Sequence, residues 1–218
     1  PVVGLEAEGE VKDLMEKFWD AERIEMLPQP KGFHGKLRPY QIRGYSWLAF
    51  MCRRAIGPCL ADDMGLGKTI QLISLLLSER EKGLASNPTL LICPTSVVGN
   101  WHREVEKFGP SLKVMVHHGT ERLSKTDFLE AVPDYDLVIS TYSLVHRDIE
   151  DLKKVNWAGI VLDEAQNIKN PHAKQSIATR QLPGGYKVAL TGTPIENRLS
   201  ELWSIMEFLN PGYLGSLE

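Results

Sequence analysis

A glycine-rich segment combines small residues, a cation and a hydroxyl at a spacing suited to phosphate, and it reads Ala61-Asp62-Asp63-Met64-Gly65-Leu66-Gly67-Lys68-Thr69. Gly65 and Gly67 let backbone N–H groups approach a phosphate, and a following helix start adds a favourable dipole. Lys68 is expected to reach the β- and γ-phosphates of a nucleotide, and Thr69 to ligate Mg²⁺. The predicted nucleotide contacts in this loop are Asp63, Met64, Gly65, Leu66, Gly67, Lys68 and Thr69.

The loop departs from the strict phosphate-binding pattern at one position. That pattern has a glycine where this chain has Asp62. The alternative is an ordinary glycine-rich turn between a strand and a helix. The Gly67-Lys68-Thr69 triplet, with an apolar strand before it and an apolar-faced helix after it, favours phosphate binding.

Two acids end a second apolar strand, in the segment Ile160-Val161-Leu162-Asp163-Glu164-Ala165-Gln166. Asp163 is expected to hold Mg²⁺, directly or through water, and Glu164 to orient and deprotonate an attacking water. The alternative is an acidic strand cap. The glycine-rich loop upstream favours the catalytic interpretation, because the two segments together form a nucleotide site.

Two further segments are weaker indicators when each is taken alone. Thr191-Gly192-Thr193-Pro194 follows a strand, where hydroxyls and a glycine can sense the γ-phosphate, although a plain strand exit looks the same. Gln41 offers a donor and an acceptor that suit the adenine edge. A glutamine on a solvated helix face is the alternative for that residue.

Small hydroxyl residues follow two other apolar strands and suit contacts to a sugar-phosphate backbone. The alternative function for Thr95 or Ser96 is to cap the helix that follows. The candidate nucleic-acid contacts are Pro94, Thr95, Ser96, Asn100, Thr141 and Tyr142.

Short apolar strands alternate with amphipathic helices along the chain. Strands are expected at 58–61, 89–93, 112–116, 135–140, 159–163 and 186–190, and helices at 39–55, after the glycine-rich loop, at 97–108 and at 199–209. This alternation predicts the α/β class, with a mostly parallel sheet covered by helices on both faces. Ligands of such sheets bind beyond the carboxyl ends of the strands, which is where the polar segments fall.

Composition limits the function classes further. The 218 residues carry a net charge of −3, so nucleic-acid contact must be local rather than spread over a basic protein. Cys52, Cys59 and Cys93 lack metal-ligand spacing, and the adjacent His117 and His118 have no matching partners, so both sets indicate ordinary structural positions. No apolar run is long enough to cross a bilayer, and a cytoplasmic protein is expected, nucleoid-associated if the source is prokaryotic.

The order of these segments resembles lobe one of a helicase superfamily two ATPase, a RecA-like fold. Within that group the chain is similar to the Snf-type (swi/snf-like) DNA translocases. The stretches that carry the likeness are Leu37-Arg38-Pro39-Tyr40-Gln41, the loop 61–69, Thr191-Gly192-Thr193-Pro194-Ile195-Glu196-Asn197 and Phe208-Leu209-Asn210-Pro211-Gly212. The family commonly has aspartate at the position of Asp62. Asp163-Glu164-Ala165-Gln166 differs from the DEAD and DEAH spellings of RNA-directed branches, which favours DNA, and 27–35 resembles bacterial or archaeal members.

The resemblance implies a function for each matching residue. Gln41 would contact adenine, with Arg38 and Tyr40 shaping its pocket. The implied catalytic residues are Lys68, Asp163, Glu164 and Gln166. Residues implied to couple hydrolysis to movement are Thr191, Gly192, Thr193 and Asn197.

The resemblance also implies domain boundaries and partners. Residues 1–30 are expected to be an extension or linker, and 31–218 the ATP-binding lobe. The implied ligands are ATP and Mg²⁺, and the implied partners are double-stranded DNA, held weakly by this lobe alone, a second lobe in the same chain that supplies arginine fingers, and a DNA-bound protein. Two alternatives stay open: an RNA-directed helicase lobe, and a docking module that binds nucleotide without catalysis.

Overall fold

The computed structural model describes residues 24–63, 65–120, 122–193 and 199–216. Within those ranges six strands form one sheet in the order β1-β6-β5-β2-β4-β3, and every pairing is parallel. The strands are β1 Cys59–Leu60, β2 Thr89–Cys93, β3 Val114–Val116, β4 Leu137–Thr141, β5 Gly159–Asp163 and β6 Tyr186–Leu190. The predicted α/β class and RecA-like parallel sheet are confirmed.

Helices connect these strands. They are α1 Pro39–Cys52, α2 Lys68–Glu81, α3 Val98–Phe108, α4 Lys125–Ala131, α5 Tyr142–Arg147, α6 Ile149–Leu152, α7 Lys174–Arg180 and α8 Leu199–Leu209. The predicted long helices are present, although α1 ends at Cys52, before Ala55, whose φ of 55° is incompatible with a continuing helix. The short helices α4 to α7 were not predicted, because a helix of two turns or fewer carries too little periodicity to stand out.

Strand β2, in the middle of the sheet, shows how the sheet divides the core into two apolar clusters. Leu91 and Cys93 pack into one apolar cluster, against α1 to α3, while Leu90 and Ile92 pack into the other, with side chains of α4, α5, α7 and α8. Successive strand residues point to opposite faces, so a fully buried strand needs apolar residues throughout. This explains why the parallel strands appear in the sequence as unbroken apolar runs.

The sheet register aligns the strand ends that precede the polar segments. Leu190 pairs with Leu60 on one side and with Asp163 on the other. Beyond β5, the neighbouring strands β2 and β4 are aligned in the same way, because Cys93 at the end of β2 pairs with Thr141 at the end of β4. The loops that follow β1, β6, β5, β2 and β4 therefore leave the same edge of the sheet.

The described part of the predicted extension packs on the lobe. Leu27 is 6% exposed and joins the core with Phe33 and Leu37. The Tyr45 hydroxyl donates to the Pro28 carbonyl oxygen. The boundary at residue 30 stays a prediction. Separately, no helix within the described ranges is both long and apolar enough to cross a membrane.

Candidate functional site

The glycine-rich loop adopts a backbone that requires glycine at two positions. Gly65 has φ 84° and Gly67 has φ 80°, both in the left-handed region that side chains with a Cβ rarely adopt. Gly67 is the N-cap residue of α2, and a Cβ there would lie 2.6 Å from Gln41 Nε2. The free N–H groups of the α2 N-terminus thus border the loop, as phosphate binding requires. Met64 lies outside the described residues.

Lys68, the first residue of α2, is held against the loop it follows. Its Nζ donates to the carbonyl oxygens of Asp62 at 2.7 Å and Asp63 at 3.1 Å. A phosphate would compete for the same ammonium group as a stronger, charged acceptor. Thr69 lies next to it in the first turn of α2.

Asp62, the residue that departs from the glycine pattern, is tied to the helix behind the loop. Its Oδ2 accepts a hydrogen bond of 3.1 Å from Gln71 Nε2. Gln71 is fully buried, and a Cβ on Gly44 would lie 1.7 Å from its Oε1, so only glycine fits at residue 44. Sequence reasoning missed Gln71. The available signal was a glutamine beside the apolar residues Ile70, Leu72 and Ile73 at the start of α2.

Gln41 is 6% exposed and does not lie on a solvated helix face. Its Oε1 accepts from Arg38 N at 2.9 Å, and its Nε2 donates to Leu66 O at 3.5 Å. The side chain therefore connects the start of α1 to the glycine-rich loop. Its neighbour Tyr40 is 40% exposed and lines a cleft beside the same loop.

That cleft has a volume of about 910 Å³ and lies between α1, β1 and the glycine-rich loop. Its lining includes Tyr40, Arg43, Trp47, Asp62 and Leu66. Arg43 and Trp47 were not among the predicted pocket residues, and the predicted Arg38 is exposed rather than part of the lining. Apolar surface with a few polar groups is what a nucleotide base needs.

The acid pair ends β5, as expected. Asp163 Oδ2 accepts a hydrogen bond of 2.7 Å from Trp101 Nε1. Burial raises the pKa of the Asp163 carboxyl, and the charge of Glu164 adds to this, while the Trp101 bond and the nearby Lys68 ammonium oppose it. The strand pairings β1–β6 and β6–β5 bring the glycine-rich loop and the acid pair to the same edge of the sheet, with β6 between their strands.

Glu164 has a left-handed backbone, with φ 50° and ψ 57°. Its carbonyl oxygen accepts from Asn167 N at 2.9 Å and Asn167 Nδ2 at 2.8 Å. Such strain costs on the order of 1–3 kcal/mol in a residue with a Cβ, and it persists only where surrounding contacts impose it. Backbone strain of this kind clusters at active sites.

A chain of hydrogen bonds joins Glu164 to the end of β6. Gln166 Nε2 donates to Glu164 Oε2 at 2.8 Å, and Thr191 Oγ1 donates to Gln166 Oε1 at 2.8 Å. Thr193 N then donates to Thr191 Oγ1 at 3.0 Å. The structure thus brings together the catalytic and coupling residues predicted from two separate segments. Gly192 lies between the two threonines, and Asn197 lies outside the described residues.

The candidate nucleic-acid contacts fall into two groups. Thr95 and Ser96 are exposed on a short 3-10 helix that follows the half-buried Pro94, and Asn100 is exposed on α3. Val97 is the N-cap residue of α3, so neither hydroxyl residue holds that position.

The second group differs from the expected surface position. Thr141 and Tyr142 are 1% and 4% exposed. The Tyr142 hydroxyl donates to Asp163 O at 2.7 Å, and the Thr141 hydroxyl bonds to Ser143 Oγ at 3.2 Å. Thr141 is the last residue of the fully buried β4 and Tyr142 follows it directly, so both side chains lie in the interior.

His117, which directly follows β3, has a structural role in the core. Its ring is 2% exposed, packs on Phe128 and bonds through Nε2 to Asp148 Oδ2 at 3.0 Å. Arg122 binds the same carboxylate through Nε and Nη2.

The residues present fit a magnesium ion bound with a nucleotide. Mg²⁺ is usually held by one or two protein ligands together with waters and substrate phosphates. Asp163 and Thr69 would supply a carboxylate and a hydroxyl from segments that follow strands ending at the same edge of the sheet, and Lys68 directly precedes Thr69. No cluster of three or more His, Cys, Asp or Glu side chains that could hold a metal occurs in the described ranges.

Comparisons with known proteins agree on one family. A model of the SNF2-related domain matches residues 40–218. The putative ATP-dependent helicase/translocase YwqA of Bacillus subtilis is 50% identical over 208 residues, which are 95% of this chain and 23% of that protein. Human chromatin-remodeling ATPase INO80 is 37% identical over 203 residues, 89% of this chain and 13% of that protein. The chain spans less than a quarter of either relative.

Two solved structures are also similar. The Sulfolobus solfataricus SWI2/SNF2 ATPase core in complex with dsDNA matches with a TM-score of 0.79 and 49% identity, covering 88% of this chain and 39% of that chain. The same organism's SWI2/SNF2 ATPase core domain matches with a TM-score of 0.78 and 46% identity, covering 90% of this chain and 39% of that chain.

Proposed function

This chain belongs to the SNF2-related domain family of helicase-like ATPases, and we propose that it is the ATP-binding lobe of a translocase that moves along double-stranded DNA and remodels DNA–protein complexes. One observation carries the proposal. The loop of Lys68, the acids Asp163 and Glu164, and Thr191 leave three adjacent strands at one edge of the sheet. A nucleotide bound at this edge would contact the Lys68 cation and the acid pair, with the Thr191 hydroxyl close by.

The side chains divide the work of phosphoryl transfer. Lys68 and the N–H groups of α2 bind the β- and γ-phosphates, while Gln41, Tyr40 and Arg43 contact the base. Thr69 and Asp163 hold Mg²⁺, which neutralises charge on the phosphate oxygens when bound. Glu164 orients the attacking water and accepts its proton.

Movement begins with loss of the γ-phosphate in this proposal. Gln166 holds the Glu164 carboxylate at one end and the Thr191 hydroxyl at the other. A shift of the Glu164 carboxylate would therefore be passed through the side chains of Gln166 and Thr191 to the backbone of Thr193. The loop after β6 would pass it to a second lobe in the full protein.

The second lobe also sets the rate. Arginine fingers contribute roughly three to five orders of magnitude to turnover in phosphoryl-transfer enzymes. The lobe alone is expected to hydrolyse ATP very slowly. With a net charge of −3, it is also expected to bind duplex DNA weakly, with a steep dependence on salt.

ATP hydrolysis by the full-length protein tests the proposal, measured with duplex DNA, single-stranded DNA or RNA. Duplex DNA is expected to stimulate hydrolysis most. Lys68→Ala should weaken nucleotide binding, whereas Glu164→Gln should keep binding and lose roughly two to four orders of magnitude in hydrolysis. Lys82→Ala, at an exposed lysine just beyond α2, is the matched control.

The outcomes separate the alternatives. Stimulation by RNA alone would favour an RNA-directed helicase over a DNA translocase. If neither site variant changed hydrolysis or the behaviour of cells, the lobe would be a docking module rather than an enzyme. Displacement of a DNA-bound protein, measured in the same reactions, tests the remodelling activity.

A further inference from the structure

The helix α3, which starts beside the exposed candidate DNA contacts, also carries Trp101, whose buried indole bonds to Asp163, the proposed Mg²⁺ ligand. Thr95, Ser96 and Asn100 are exposed at the start of this region. Trp101, the residue after Asn100, is 2% exposed, and its Nε1 lies 2.7 Å from Asp163 Oδ2. Adjacent residues of α3 therefore face the solvent and the catalytic edge.

The chemistry of this contact is directional. An indole N–H can only donate, so Asp163 Oδ2 must be the acceptor. A buried carboxylate needs such donors, and hydrogen bonds to ionised groups are shorter and stronger than neutral ones. Trp101 thereby engages one oxygen of Asp163 and sets the direction of the other, which is the one left to face a metal.

A second contact comes from the neighbouring strand end. Tyr142 begins α5 directly after β4, and its hydroxyl donates to Asp163 O at 2.7 Å, with Glu164 O at 3.4 Å. The segment after β2 therefore donates a hydrogen bond to Asp163 from Trp101, and the segment after β4 donates one from Tyr142. The side chain and the backbone of Asp163 are held by different elements.

We propose that Trp101 is a positioning residue for Asp163, and that through it α3 transmits contact with duplex DNA to the Mg²⁺ site. This rests on the proposed ATPase function. A phosphate backbone held by Thr95, Ser96 and Asn100 would set the position of α3, and the indole would then turn the carboxylate towards the metal. Partners of metal ligands commonly have such orienting effects, and their loss costs roughly 10–100-fold in metal affinity or activity.

The test compares two tryptophan-to-phenylalanine variants of the full-length protein. Trp101→Phe removes the N–H donor and keeps an apolar ring in the core. Trp157→Phe is the matched control, because Trp157 is also 2% exposed and its Nε1 donates at 2.8 Å to Leu152 O, away from the acid pair. ATP hydrolysis is measured against Mg²⁺ concentration, with and without duplex DNA, together with nucleotide-free DNA binding.

Trp101→Phe is expected to raise the half-saturating Mg²⁺ concentration about tenfold. It should also reduce the stimulation by duplex DNA while leaving nucleotide-free DNA binding unchanged, which verifies the fold. Trp157→Phe should match the wild type in all three measurements. A purely structural tryptophan would change neither the Mg²⁺ requirement nor the stimulation.

Several results would overturn the inference. Equal Mg²⁺ curves for the two variants would show that Trp101 does not position Asp163. A shifted Mg²⁺ curve with undiminished stimulation by DNA would show that α3 does not transmit the contact. If the wild-type protein lacked DNA-stimulated hydrolysis altogether, the proposed function itself would fail, a result distinct from both.

Discussion

The Thr191 hydroxyl donates to the side-chain oxygen of Gln166 at 2.8 Å, and this bond joins the loops that follow β6 and β5. The two residues are 25 positions apart in the chain. Their strands are neighbours, and the pairing of Asp163 with Leu190 aligns the two strand ends. We therefore propose that Thr191 functions to orient the Gln166 amide, which donates to Glu164 Oε2.

Thr191→Val tests that function, because it removes the hydroxyl and keeps the shape of the side chain. A single hydrogen bond contributes about 1 kcal/mol, so DNA-stimulated ATP hydrolysis should fall by about five- to tenfold. Thr179→Val is the control, since Thr179 is equally buried and its hydroxyl donates to Gln175 O within α7. Equal rates for the two variants would contradict the relay.

Gly67→Ala should destabilise the protein and impair nucleotide binding. The residue has φ 80°, and the new Cβ would lie 2.6 Å from Gln41 Nε2. The left-handed backbone alone costs about 1–2 kcal/mol in a residue with a Cβ. Gly99→Ala is the contrast within the same protein, because Gly99 is helical and a Cβ there would come no closer than 3.9 Å to its nearest neighbour, Arg103 Nη1.

Gly99→Ala is expected to increase the free energy of unfolding, whereas Gly67→Ala is expected to decrease it. Alanine in a helix gains about 0.5–1 kcal/mol over glycine where the backbone allows it. Urea unfolding measures both changes in the free energy of unfolding. A loss of stability in Gly99→Ala, or none in Gly67→Ala, would contradict the assigned backbone conformations.

Asn210→Ala should destabilise the chain by about 1–3 kcal/mol. Asn210 Oδ1 accepts from Gly57 N at 2.9 Å, and its Nδ2 donates to Gly57 O at 3.0 Å, which fastens the end of α8 to the loop before β1. Asn156→Ala, at an exposed asparagine, is the control for urea unfolding. If both variants unfolded at the same urea concentration, this clasp would contribute nothing.

Glu79 gives a prediction for pH. Burial raises the pKa of its carboxyl above the ordinary value of 4.5, although Arg53, Tyr186 and Arg80 oppose the shift. The folded protein therefore binds this proton more tightly than the unfolded chain does. The resulting stability is complete below the unfolded pKa and is lost as pH rises through the folded pKa.

Glu79→Gln removes that loss, because the amide does not ionise. The free energy of unfolding of Glu79→Gln should increasingly exceed that of the wild type as pH rises above 4.5, the ordinary pKa of the carboxyl. Glu130→Gln, at an exposed residue of α4, should follow the wild type across the same range. A constant difference between Glu79→Gln and the wild type would show that the Glu79 carboxyl does not titrate abnormally.

Much of the site was predictable because its parts are local. The Gly67-Lys68-Thr69 triplet lies at a strand-to-helix junction, and Asp163 and Glu164 end an apolar run, so their patterns are visible within a few residues of sequence. Parallel strands also place such junctions on one edge of the sheet. The sequence alone therefore determined the fold class and placed the glycine-rich loop and the acid pair at the ends of strands.

Contacts between distant segments were decided only by the tertiary structure. Trp101 and Asp163 are 62 positions apart, and nothing local to either shows that they bond. The strand order places β6 between β1 and β5, which brings Thr191 to Gln166, and the burial of β4 turns Tyr142 inward to Asp163. Periodicity reports which residues are apolar, whereas side-chain direction depends on which strands and helices become neighbours, and that is settled only when the whole core packs.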